Sequence, residues 1–122
     1  MSKKSSKFKP LKKTLFFLDN KYKFEIIYCL SIKKMRFGEL KKYLENITQQ
    51  LLTKQLKEME KNNLINRKEY SQFPKKVEYS LTSFGVSLKP VIDSMKKWEK
   101  NNVKKINTLL KKKLSDSIYD YY

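Results

Sequence analysis

Gln49, Gln50, Thr53, Lys54 and Lys57, with Thr48 just ahead of them, form a run of side chains suited to hydrogen bonding and not to covalent chemistry. An amide presents a donor and an acceptor side by side, a hydroxyl does both from one atom, and an ammonium only donates. Such a set suits reversible reading of a polar surface. Arg36, Arg67, Lys68, Lys75 and Lys76 add positive charge of the kind that meets phosphate oxygens. The rest of the chain offers little for catalysis. It has no histidine, and Cys29 is its single cysteine, so neither a Cys/His zinc site nor an internal disulfide can be built. There is no glycine-rich phosphate loop and no pair of carboxylates in an acid–base setting. The expectation is therefore a protein that is not an enzyme and has no cofactor and no metal.

The elements that must position these residues can be read locally. Ile47-Thr48 gives an apolar residue followed by a good N-cap, whose hydroxyl can accept from backbone N–H groups one turn in. Leu51, Leu52, Leu56 and Met59 then fall on one side of a helix at about 100° per residue. Gln50, Thr53, Lys54, Lys57 and Lys61 take the other side. Asn62-Asn63 is a plausible stop, because Asn tolerates the left-handed conformation. Two strand-like segments follow, 64–70 and 76–81, with Val77, Tyr79 and Leu81 alternating and a proline-containing loop, Ser71 to Lys75, between them. A helix with a polar, basic outer face joined to a basic β-hairpin describes a winged helix-turn-helix, mainly α with one small hairpin. In that arrangement the N-terminal residues of the second helix reach base edges in the major groove. Thr48, Gln49, Gln50, Thr53, Lys54 and Lys57 are the candidate base readers. Arg36, Arg67, Lys68, Lys75 and Lys76 are candidates for the DNA backbone and the wing contacts.

Upstream, Pro10 suits the first turn of a helix running to about Leu18, which Asp19-Asn20 ends. Residues 22–31 read as a helix that is apolar nearly all round (Tyr22, Phe24, Ile26, Ile27, Cys29, Leu30), hence buried. Met35-Arg36 reads as a short strand or turn, and 37–44 as a helix turning Phe37, Leu40, Tyr43 and Leu44 inward. Glu45-Asn46-Ile47 joins it to the recognition helix. Downstream, Thr82 is expected to cap a long helix kinked at Pro90, with Val91, Ile92, Met95 and Trp98 on one stripe. After a possible interruption at Asn101-Asn102, Val103, Ile106, Leu109, Leu110 and Leu114 continue an apolar stripe opposite lysines.

At this point the chain resembles the HxlR family of winged-helix transcriptional regulators, relatives of the MarR group. The matching pieces are Arg36-Phe37-Gly38-Glu39-Leu40, Ile47-Thr48, Leu51-Leu52-Thr53, Leu56-Lys57-Glu58-Met59-Glu60 and Asn63-Leu64-Ile65-Asn66-Arg67. Pro74 to Thr82 (PKKVEYSLT), Gly85, Leu88-Lys89-Pro90-Val91 and Trp98 match further on, so the resemblance covers roughly 9–100. It departs at Asp19-Asn20, where the family usually has a glycine pair, and at Lys9, where many members carry a cysteine. The resemblance implies a homodimer built from the terminal helices. Leu11, Leu15, Phe16 and Phe17, together with Val91, Met95 and Trp98, are the apolar residues expected at that interface.

Charge is distributed apart from the fold signal. Of a net +17, residues 1–18 supply six lysines with no acid, and 96–113 supply eight lysines against Glu99, together +13. The winged segment 48–81 carries only +3. The terminal lysines either clamp flanking DNA or reflect a compositional bias in a chain with 27 lysines and no alanine. Residues 1–9 read as a flexible basic arm, 10–100 as the winged domain with its dimerisation helices, and 101–122 as a helical extension and tail. The longest apolar run near the start, Leu15 to Leu18, is too short for a signal peptide, and no run is long enough to span a membrane. A cytoplasmic protein is expected, with no membrane partner and with the identity of any small-molecule effector unknown. The functional expectation is a sequence-specific double-stranded DNA-binding repressor, acting as a dimer on a pseudo-palindromic operator. The alternatives are a non-specific nucleic-acid packaging or replication-accessory protein, and a winged helix used only for protein contact.

Overall fold

The computed structural model describes residues 10–120, with side chains described as far as 115. The basic arm (Lys3, Lys4, Lys7, Lys9) therefore lies outside the described residues, as do the last two tyrosines. The chain divides into two compact units after Lys89.

The first unit contains α1 (Lys12–Phe17), α2 (Lys21–Ile32), α3 (Phe37–Leu44), α4 (Gln49–Lys61), β1 (Ile65–Tyr70), β2 (Lys76–Leu81) and the single turn α5 (Ser83–Val86). Asn20 starts α2 by accepting from the backbone N–H groups of Tyr22 and Lys23 at 3.0 and 3.2 Å. Ile26, Ile27, Cys29 and Leu30 of α2 are buried, alongside Leu40 and Leu44 of α3, Leu52, Leu56 and Met59 of α4, and Leu64 and Ile65 at the start of the hairpin. Fully burying each of these larger side chains contributes about 1.5–3 kcal/mol against chain entropy. The strands pair antiparallel, Ile65 opposite Leu81 through Tyr70 opposite Lys76. Met35 adds a one-residue third rung: its N–H donates to Tyr79 O at 3.0 Å, and Tyr79 N–H donates back at 2.8 Å. The result is the expected mainly α fold with a two-stranded wing.

Three details differ from the sequence reading. Tyr43 is 57% exposed instead of facing inward, because Phe37, Leu40 and Leu44 already define the stripe and Tyr43 falls at its edge. Thr82 caps not a long helix but the one-turn α5, and Pro90 does not kink a continuous helix. It lies in the first turn of a new one, where its missing N–H has no partner to lose. The first helix begins at Lys12 after Leu11 at φ 72°, so Pro10 precedes it and is not part of it.

The second unit follows Lys89. It comprises nearly all of α6 (Lys89–Asn101) and α7 (Val103–Asp120), separated at Asn102. Asn102 donates its side-chain N–H to Trp98 O at 2.8 Å, and its own carbonyl accepts from Ile106 N–H at 2.9 Å. No helix among the described residues is long and apolar enough to cross a membrane.

Candidate nucleic-acid interface

The helix-turn-helix is built from α3 and α4 and set by local chemistry at both ends of α4. Glu45 and Asn46 take positive φ in the turn, 43° and 34°. Thr48 then caps α4 by accepting from Leu51 N–H at 3.1 Å. Ile47 before the cap and Leu52 within the first turns are both buried, at the spacing of a hydrophobic staple. At the far end Asn63 sits at φ 61°, its N–H donating to Glu60 O and that of Leu64 to Met59 O. This is a complete Schellman closure, with Met59 and Leu64 as its buried apolar pair.

These caps fix which residues face out. Thr48, Gln49 and Gln50 are exposed at the leading end of α4, and Lys54 and Lys57 follow on the same side. Thr53 is half-buried and donates to Gln49 O at 2.8 Å, so its methyl is the freer part of the side chain. Lys54 and Lys57 make no ion pair among the described residues. Leu51, expected inward, is only half-buried, while Gln55 is buried.

The wing separates residues that the sequence reading grouped. Arg67 and Lys68 are consecutive on β1 and must point to opposite faces. Arg67 shares a recess of about 300 Å³ with Thr53, Leu56, Lys57, Glu60 and Tyr79, so it belongs with the recognition helix. Its guanidinium also donates to Glu69 at 2.9 Å. On the other face Lys68 and Lys76 lie over the Tyr70 ring at 4.9 and 4.7 Å. The Tyr70 hydroxyl donates to Glu78 at 2.6 Å, which holds the Glu78 carboxyl below its ordinary pKa and raises that of Tyr70. Lys75 is exposed at the tip next to Pro74, and Phe73 beside it is almost wholly exposed. Arg36 is exposed just before α3, where its backbone N–H donates to Glu39 at 3.2 Å. Glu39 also binds Lys33 at 2.9 Å.

The apolar candidates are exposed on each unit taken separately. Leu11 is 70% exposed, Leu15 and Phe16 are also open, and Phe17 is half-buried edge-on to Phe84 at 5.5 Å. On α6, Val91, Met95 and Trp98 are exposed, Trp98 at 63%, while Ile92 is buried.

One group was not visible in the sequence. Lys23, on the helix read as apolar, is 2% exposed, and its ammonium donates to Asp19 and Glu58, each at 2.7 Å. Beside it Asn20 donates its amide N–H to Gln55 at 2.8 Å. Burial pulls the Lys23 pKa down, but its hydrogen bonds to Asp19 and Glu58 outweigh it and leave the pKa raised. The Lys23 bond also lowers that of Asp19. The signal that could have found it is an i, i+4 Asp–Lys pair flanking a cap, inside an otherwise apolar helix.

An HxlR-like helix-turn-helix model matches residues 17–107, which include α3, α4 and the whole wing. The chain belongs to the HxlR-like helix-turn-helix family. Among its relatives, the HTH-type transcriptional regulator YdeP of Bacillus subtilis (strain 168) is 44% identical over 100 residues, covering 82% of this chain and 78% of that one. YdzF of the same organism, also an HTH-type transcriptional regulator, is 48% identical over 94 residues, 76% of this chain and 86% of its own. The solved structure of the redox regulator HypR in its reduced form superimposes with a TM-score of 0.76 at 38% identity, covering 82% of this chain and 99% of that one. The protein is thus an HxlR-type transcriptional regulator with a helix-turn-helix DNA-binding fold, and its relatives are regulators, not enzymes.

Proposed function

We propose that this HxlR-type regulator is a sequence-specific repressor that binds duplex DNA as a homodimer and occludes a promoter. The observation that carries this reading is the exposed leading turn of α4, Thr48-Gln49-Gln50, followed by Lys54 and Lys57, which make no ion pair among the described residues. Gln49, Gln50 and the Thr53 methyl read bases, while Lys57 and Arg67 at their shared recess, Lys68, Lys75 and Lys76 on the wing, and Arg36 hold phosphates. Leu11, Leu15 and Phe16 on one unit, with Phe17 beside them, and separately Val91, Met95 and Trp98 on the other, are exposed apolar surfaces of the kind a second copy would cover. Two recognition helices on one duplex face need centres about 34 Å apart, which makes the operator pseudo-palindromic. The setting is the cytoplasm. Redox sensing of the kind named for HypR is not proposed, because Cys29 is buried and its thiol is pushed up to about 11.

A second reading, non-specific packaging, is favoured by the +13 carried in the terminal stretches. The two are separated by affinity at fixed salt for a duplex selected from a random pool and for a scrambled duplex of equal length. A repressor prefers the selected duplex by about 10³-fold or more. Equal affinities would support packaging, and no binding to either would leave a protein-contact module.

A further inference from the structure

We infer that Lys23 and its neighbours Asp19, Asn20, Gln55 and Glu58 form a positioning device that sets the rotation of the recognition helix, so that Lys23 governs base discrimination without touching DNA. The inference rests on the reading of α4 as the base-reading helix. Gln55 and Glu58 are one turn apart on α4; Gln55 is buried about 140° around the helix from Gln50, and the partly exposed Glu58 lies on the flank, about 80° from Gln50. Both are tied to the start of α2: Gln55 to Asn20 at 2.8 Å, and Glu58 to Lys23 at 2.7 Å. The anchor end is itself fixed. The Asn20 side-chain oxygen is occupied by two backbone N–H groups of α2, and Lys23 is held by Asp19 from below.

Leu52, Leu56 and Met59, also buried on α4, are apolar and carry less directional preference than a hydrogen bond. Hydrogen bonds do carry it, falling off steeply with angle. A helix with side chains has a radius of about 5–6 Å, so a rotation of about 10° displaces Gln50 by about 1 Å. Base-edge contacts must be held to about 0.5 Å. Two bonds on successive turns, one from the buried face and one from the flank, therefore add an angular constraint to those of the packed core and the end caps.

The chemistry also separates positioning from stability. Removing one partner of a buried ion pair is costly when it strands the other charge in the interior, and mild when the groups left behind can reach water. Asp19 and Glu58 are 55% and 39% exposed, so both can rehydrate when the ammonium is gone. Lys23→Met should then fold normally while discriminating poorly.

The test uses the full chain and two probes, a duplex selected from a random pool by the wild type and a scrambled duplex of the same length. For Lys23→Met the selected-to-scrambled affinity ratio should fall about tenfold, the size of one mild base mismatch. The salt slope should be unchanged, because no phosphate contact is lost. Glu58→Ala should behave alike, and Glu58→Gln, which keeps an acceptor for the ammonium, should retain the ratio within about twofold. A folded Lys23→Met with an undiminished ratio, a loss shared equally by both duplexes, or failure of Glu58→Gln to restore the ratio would overturn the inference. Should Lys23→Met not fold, the Glu58 pair decides by the same readout. A wild type that prefers neither duplex would overturn the base-reading role of α4 and this inference with it.

Discussion

Cys29 should react slowly in the native protein. It is 2% exposed in the core of α2, and burial, with Glu25 nearby, pushes its thiol from an ordinary value near 9 up to about 11. At pH 7 a thiol near 9 is about 1% thiolate, and one near 11 about 0.01%. Since the thiolate is the nucleophile, the reactive fraction falls about a hundredfold, a loss partly offset by the stronger nucleophilicity of the more basic thiolate and then deepened by lack of access. The sign also predicts a pH window. The folded state holds this proton more tightly than the unfolded one, so the thiol's contribution to stability is complete below about pH 9 and lost as pH rises through about 11. The assay is an iodoacetamide time course followed by mass spectrometry, native against urea-unfolded, beside DNA binding before and after mild peroxide. Native alkylation should be at least about a hundredfold slower, and Cys29→Ser should bind DNA like the wild type. A native rate within about tenfold of the unfolded one, or a peroxide response that vanishes in Cys29→Ser, would refute the reasoning.

Other outcomes follow from particular contacts. Gly85→Ala places a Cβ 2.1 Å from Leu64 O, the carbonyl that Thr82 N–H binds at 3.1 Å. The seam between α5 and the hairpin must open by more than about 1 Å, which should cost about 1–3 kcal/mol in a urea melt. An unchanged midpoint would show that the seam is looser than it looks. Lys76→Ala should weaken selected and scrambled DNA alike and flatten the salt slope by about one ion; a loss confined to the selected duplex would assign Lys76 to base reading. Val91→Glu with Trp98→Glu should give monomers by sedimentation velocity and weaken operator binding, whereas a variant that stays dimeric would remove these exposed residues from the interface.

The winged motif was legible because its signals are local. The Thr48 cap, the Ile47 staple and the left-handed Asn63 each depend on residues within one or two turns, and the wing is a hairpin whose strands are joined by a short loop. The opposite faces of Arg67 and Lys68 were equally available from the two-residue period of a strand, and only treating the wing as one patch concealed them. What could not be read depends on distant partners. Lys23 looks misplaced in an apolar helix until Glu58, 35 residues on, closes against it. The break after Val86 is of the same kind, since Thr82 also bonds to Asn63 and Leu64 across the hairpin and thereby fixes where the short α5 begins. The kink expected at Pro90 is absent, because a proline can start a helix as readily as bend one.

The central claim is that the leading turn of α4 reads bases, and selection of bound duplexes from a random pool at fixed salt tests it most directly when repeated with Gln50→Ala. Arginine is the usual reader of guanine, and neither Arg36 nor Arg67 lies on α4. Glutamine suits adenine, and threonine meets the thymine methyl. The account predicts paired half-sites centred on A·T base pairs, about one helical turn apart. It also predicts that Gln50→Ala loses about 1–3 kcal/mol on the selected duplex and far less on random DNA. Half-sites centred on G·C, or a Gln50→Ala loss shared equally by random DNA, would contradict it.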